Sequence, residues 1–144
     1  MPTEAEWEYA CRAGGSASRP FHFGSFLSSH LANFDGNQPY GGADKAASLK
    51  RTTRVGSYPP NAFGLYDMHG NVLEWCEDWY GPYDAGSRQD PRGPATGTKK
   101  AVRGGSWFVI GKRCRAAYRG AFDPPYRSNV LGFRVVLVAG GGAP

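Results

Sequence analysis

The feature that most narrows the folds open to this chain is a long stretch without rhythm. Residues 16–62 hold no sustained helical or strand period, and Gly, Pro, Ser and Asn recur every few positions. In an ordinary small domain a connection of that length counts against itself, because its backbone groups must find partners outside any ladder. The stretch does carry large rings at Phe21, Phe23, Phe26, Phe34 and Tyr40. It therefore predicts irregular chain pinned by packed aromatics, in a fold that carries functional loops. With 144 residues, 40% of them hydrophobic and 14% aromatic, the chain is long enough to bury a core as one domain, 1–144.

The periodic pieces around that stretch are short. Thr3 and Glu6 have the spacing of a capping box, and Trp7, Ala10 and Cys11 fall on one helical face. This predicts a helix over 4–13, ended by Gly14 and Gly15. Strands are expected over 72–80, 101–103, 114–119 and 132–138, the last being rich in β-branched residues. The class is α+β: short helices on a small twisted antiparallel sheet, with most residues in loops.

Several functions are disfavoured by what the sequence lacks. Cys11, Cys76 and Cys114 are odd in number and widely spaced, which fits buried reduced thiols better than a disulfide framework or a zinc site. There is no apolar run of spanning length, and MPTEAEWEYA is acidic and amphipathic, unlike a signal peptide. A cytoplasmic location is expected, with surface display of a longer parent protein left open. His22, His30 and His69 show no HExxH spacing, and Ser106 stands in no G-x-S-x-G elbow. The net charge of +5 is uneven: residues 101–144 hold seven Lys or Arg against Asp123 alone. That admits an acidic partner, or arginines that bridge loops internally.

Four blocks carry a resemblance: PTEAEWEYACRAGG (2–15), NAFGLYDMHGNVLEWCEDWY (61–80), VRGGSW (102–107) and CRAAYRG…LGFRVV (114–136). Together and in this order they resemble the formylglycine-generating enzyme family, the sulfatase-modifying factor domains, which adopt a variant of the C-type lectin fold. The resemblance implies that fold here, in a version short at the N-terminal side. Enzymes of the family use two cysteines just after the GGS-aromatic motif, where soft thiolates hold Cu(I). The first of these positions is Val109, and counted without a gap the second is Cys114. Matching CRAAYR and LGFR to the family needs a shorter loop and puts Cys114 on a framework position. Because either alignment leaves at most one thiol, no copper is expected and no catalytic residue is assigned. The family's structural Ca²⁺ site implies Asp67 and Glu74 through side chains, with Gly70 and Val72 through carbonyl oxygens. The competing reading pairs Glu74 with an arginine and makes Asp67 a turn cap. A second family calcium site starts at Asn33-Phe34 but meets Ala47 where an acid is needed, unless Asp35 or Asp44 substitutes.

Without the thiol pair, the GGSW-to-GFR segment is similar to the variable proteins of diversity-generating retroelements, whose ligand contacts lie between such motifs. Adenine-directed rewriting of AAC codons cannot produce Lys, Gln, Glu, Met or Trp, and within 108–131 only Lys112 is of that set. The resemblance implies ligand contacts at Phe108, Val109, Ile110, Gly111, Gly120, Ala121, Phe122, Asp123, Tyr126, Ser128, Asn129 and Val130. Cys114, Arg115, Tyr118, Arg119, Gly132, Phe133 and Arg134 read as frame. Three functions compete: a non-catalytic module that recognises a protein or peptide, a formylglycine-generating or related oxidoreductase acting on a sulfatase-type peptide, and a basic anion-binding module. The first is favoured, and a nucleic-acid partner is not expected.

Overall fold

A computed structural model describes residues 1–83, 86 and 89–137. It opens with helix α1, Glu4–Arg12, started by the expected capping box. Thr3 Oγ1 accepts from the Glu6 amide at 3.2 Å while a Glu6 carboxylate oxygen accepts from the Thr3 amide at 2.8 Å. The helix stops at Ala13, which is left-handed at φ 48°. Its C-terminal carbonyls need partners, and Asn61 supplies one by donating to Ala10 O at 2.7 Å.

Four strands follow among the described residues: β1 (Leu73–Trp79), β2 (Lys100–Arg103), β3 (Gly120–Phe122) and β4 (Leu131–Phe133). They form one sheet in the order β3-β2-β1-β4. The β1–β2 and β2–β3 pairs are antiparallel, whereas β4 runs parallel to β1. The α+β class is thus as expected, on a sheet that is mixed rather than wholly antiparallel. The β1–β2 register shifts between Trp75 and Trp79, and Lys100 beyond it caps the Trp79 ring at 3.9 Å.

Two expected strands are corrected. Residues 114–119 do not enter the sheet: Gly111–Cys114 is a 3₁₀ turn, and the chain turns again before β3. The expected 132–138 strand is β4, Leu131–Phe133, alone; residues 134–137 pair with no strand among the described residues, and 138 lies outside them.

The core has two parts. Trp7, Cys11, Met68, Cys76, Ala101 and Ala116 pack between α1 and the sheet. Phe21, Leu27, Ala32, Phe34 and Cys114 pack beneath the irregular stretch. Phe21 anchors the second part, stacked on Phe23 at 5.4 Å and edge-on to Tyr40 at 5.5 Å. Each such ring is worth about 1.5–3 kcal/mol by burial, which explains how this stretch is ordered with almost no ladder.

Candidate functional site

The site begins with two motif blocks that bind each other. Gly70 N donates to Gly104 O at 2.7 Å, and Trp107 N donates to Asn71 O at 2.9 Å. Gly105 sits between them at φ +76°, where a Cβ would lie 2.5 Å from Cys114 Sγ and 2.9 Å from its Cα. Only glycine fits, so the GGSW turn closes tightly over Cys114. The chain then runs through Phe108 and Val109 into the 3₁₀ turn, returns as β3, and turns at 123–126 before β4.

This path encloses a cleft of about 370 Å³. Leu73, Val102, Gly120 and Phe122 supply its sheet side; Trp107, Phe108, Val109 and Arg113 form one wall, and Tyr126 with Ser128, Asn129 and Val130 the other. The rings brace each other. Phe122 and Tyr126 stack at 4.6 Å with planes 12° apart, Trp75 meets Phe122 edge-on at 6.4 Å, and Trp107 meets Phe108 edge-on at 5.6 Å. The Trp107 indole N–H donates to Asn129 O at 3.2 Å, tying the two walls together. Phe108 is 69% exposed and Tyr126 45%, so both present apolar surface to solvent.

Eight of the twelve expected contact residues line this cleft: Phe108, Val109, Gly120, Phe122, Tyr126, Ser128, Asn129 and Val130. Four do not. Gly111 is buried and holds the frame, donating to Gln38 O at 2.9 Å. Ile110 caps the 3₁₀ turn, Ala121 alternates away from Gly120 and Phe122 opposite Ala101, and Asp123 accepts from the Tyr126 amide in the β3–β4 connection. Sequence reasoning missed Leu73, Val102, Gly105, Trp107, Arg113 and Tyr118, the last of which was expected as frame. The signal for Trp107 and Arg113 was their place at either end of the displayed insert.

No thiol reaches the cleft wall. Cys11, Cys76 and Cys114 are all free and buried. Desolvation raises all three above their ordinary range, the Cys114 thiol to about 12, and so keeps them protonated. Val109, which the resemblance puts at the family's first thiol position, packs against the Phe21 cluster.

The two side chains expected to hold calcium are engaged otherwise. Glu74 Oε1 accepts from Arg134 Nη2 at 2.7 Å, and Oε2 accepts from Arg134 Nε at 2.8 Å and the Trp7 indole at 2.6 Å. Asp67 accepts from the Gly56 amide at 2.8 Å. With Arg134 in place these groups do not fit a calcium ion, which would have to displace a bidentate guanidinium. Near Asn33, whose buried Oδ1 lacks a hydrogen-bond partner, the acids do not converge either: Asp35 caps the Asn37 and Gln38 turn, and Asp44 is exposed. Among the described residues no three His, Cys, Asp or Glu side chains gather as a metal cluster.

Apart from Arg115, which donates to Lys112 O at 2.9 Å and lies over the Tyr40 ring, the basic excess divides in two. Arg103 is fully buried between Glu4 and Glu8, Arg119 clamps Glu4 at 2.6 Å through two nitrogens, and Arg134 holds Glu74. Arg103 was not expected as core; its neighbours on α1 could not be read from its own motif. Lys112, Arg113 and Arg127 are exposed, and no ion pair forms at them among the described residues. A larger groove of about 810 Å³ lies between α1 and residues that include Tyr83 and Pro94, but Glu4, Glu8 and Arg119 on its wall are already paired with one another or with Arg103. No helix among the described residues is long and apolar enough to cross a membrane.

Comparison with known proteins agrees with this fold. The family model described as Sulfatase-modifying factor enzyme 1-like domain matches residues 1–139. The chain is 42% identical over 139 residues to the serine/threonine-protein kinase pkn1 of Chlamydia pneumoniae, covering 93% of this chain and 20% of that one. It is 40% identical over 143 residues to the formylglycine-generating enzyme of Streptomyces coelicolor, covering 93% and 45%. Among solved structures it is similar to Treponema denticola variable protein 1 at a TM-score of 0.75 and 34% identity, covering 92% of this chain and 45% of that chain. It is also similar to PvdO from Pseudomonas aeruginosa, at 0.66 and 33%, covering 92% and 50%. The chain thus spans half or less of the length of these relatives.

Proposed function

The chain belongs to the sulfatase-modifying factor enzyme 1-like family, and we propose that it is a non-catalytic recognition module of that family, binding a protein or peptide in the cleft between GGSW and β4. The observation that carries this reading is the gathering of Phe108, Phe122 and Tyr126 with Val109 and Val130 around one open cleft. Braced, solvent-facing rings give large contact area at low conformational cost, as anchoring positions of interfaces require.

Family membership does not set the activity. Relatives sharing this domain are named as a kinase and as a formylglycine-generating enzyme. The oxidoreductase reading lacks support from the side chains: Val109 cannot ligate copper, and Cys114 is buried beneath Gly105. The likeness to a variable protein supports the finer reading that 108–130 is a displayed, diversified segment.

Two experiments test the proposal. Oxygen uptake with copper and a cysteine-containing sulfatase-type peptide should not exceed the buffer rate; turnover would overturn the non-catalytic reading. Sequencing the locus should find a near-copy of the 3′ coding segment beside a reverse-transcriptase gene. Its absence would remove the diversification and leave the cleft.

A further inference from the structure

We infer that the cleft takes an acidic peptide segment, in which a carboxylate side chain stands next to the apolar residue that enters the cleft. This rests on the recognition reading above and specifies its partner. Among the described residues, every one lining the cleft is apolar, aromatic or neutral polar except Arg113, and no carboxylate lines it. Arg113 lies on the 3₁₀ turn, exposed, with no acid within ion-pair distance among the described residues. The rest of the segment shows what this chain does with arginines it needs for itself: Arg103, Arg119 and Arg134 are each held by a glutamate. Arg113, Arg115 and Arg127 are left out of that pairing, and of these only Arg113 lines the cleft; its backbone fixes the turn, Arg113 N donating to Ile110 O at 2.9 Å.

The charge around the cleft has the same sign. Lys112 precedes Arg113, and exposed Arg127 stands between the lining residues Tyr126 and Ser128. Asp123 is the one acid of the 108–134 segment, and it lies outside the lining. A basic ligand would meet uncompensated like charge, whereas a carboxylate beside an apolar anchor would find a planar guanidinium able to grip it in two places. The volume suits one or two side chains of a peptide rather than a folded domain's face, which would have to reach in with a loop.

The test is selection of a random heptapeptide phage library on the immobilised protein, on R113E, and on the F108A/Y126A double variant. Arg113, Phe108 and Tyr126 are exposed, so the variants keep the fold, which their melting temperatures check. The wild type should enrich peptides with Asp or Glu beside an aromatic or aliphatic residue. R113E should weaken a representative peptide about fivefold or more at low salt and shift the enriched set toward Lys and Arg. Enrichment of apolar peptides without acids, lost in F108A/Y126A but unchanged by R113E, would overturn this inference and leave the recognition reading standing. Enrichment that survives F108A/Y126A, or none at all, would overturn both. Binding of a labelled single-stranded oligonucleotide that R113E abolishes, with no acidic peptide selected, would assign Arg113 to nucleic acid and overturn the acidic-peptide inference.

Discussion

Glu74 shows how single residues stabilise this fold. Its carboxylate is 6% exposed as a residue and is shared between Arg134 and the Trp7 indole, so one buried charge ties α1, β1 and the chain beyond β4. Removing Arg134 leaves that charge uncompensated. Arg134→Gln should lower the unfolding free energy by about 3 kcal/mol in urea titration, while EDTA should leave the wild-type melting temperature unchanged. A chelator-induced drop would mean that a cation, not Arg134, neutralises Glu74. His69 makes a second prediction. Its Nε2 accepts from the His22 amide at 3.2 Å, so Nδ1 carries the proton and donates to Cys114 O at 2.7 Å. Burial holds its pKa near 3, against an ordinary 6.5. The unfolded chain therefore takes up a proton that the folded one refuses. This contribution is fully present above pH 6.5 and is lost as pH falls toward 3, with a slope of at most about 1.4 kcal/mol per pH unit. Denaturant melts at stepped pH measure it; a flat profile between neutrality and pH 4.5 would contradict it.

At the scale of elements, the GGSW turn is the most constrained piece. Gly105 combines positive φ with Cys114 pressed against the place of its missing Cβ. Gly105→Ala should cost more than about 2 kcal/mol, read by urea unfolding, whereas Gly42→Ala, also at positive φ but in open space, should cost less. What the sequence made legible follows from locality. The capping box at Thr3 and Glu6 announces α1, and the alternation from Leu73 announces β1, because both signals lie within a few residues. The 114–119 segment looked like a strand from its composition, yet Cys114 is drawn under Gly105 and Ala116 into the Trp7 cluster, a long-range demand no local pattern displays. The β-branched run after β4 misled for the opposite reason: a strand needs a neighbour, and residues 134–137 have none among those described. Eight cleft residues were legible because two motifs bracket them. Leu73 and Val102 were not, since only the sheet brings their strands beneath the insert.

At the scale of the whole molecule, five arginines of the C-terminal third separate into two populations, while Arg115 stays on its own turn by donating to Lys112 O. Arg103, Arg119 and Arg134 bind α1 and the sheet together, while Arg113 and Arg127 face outward around the cleft. Composition gave only their sum. The frame therefore accounts for much of the apparent basicity, and what remains is local to one surface. A heptapeptide selected on the wild type offers the most direct measurement, by calorimetric titration against the wild type, F108A/Y126A and Y9A/Y83A, the last pair lying in the larger groove beside α1. Cleft recognition predicts at least a tenfold loss of affinity in F108A/Y126A, from two anchoring rings worth about 1 kcal/mol or more each, with Y9A/Y83A unchanged. The reverse pattern would contradict it.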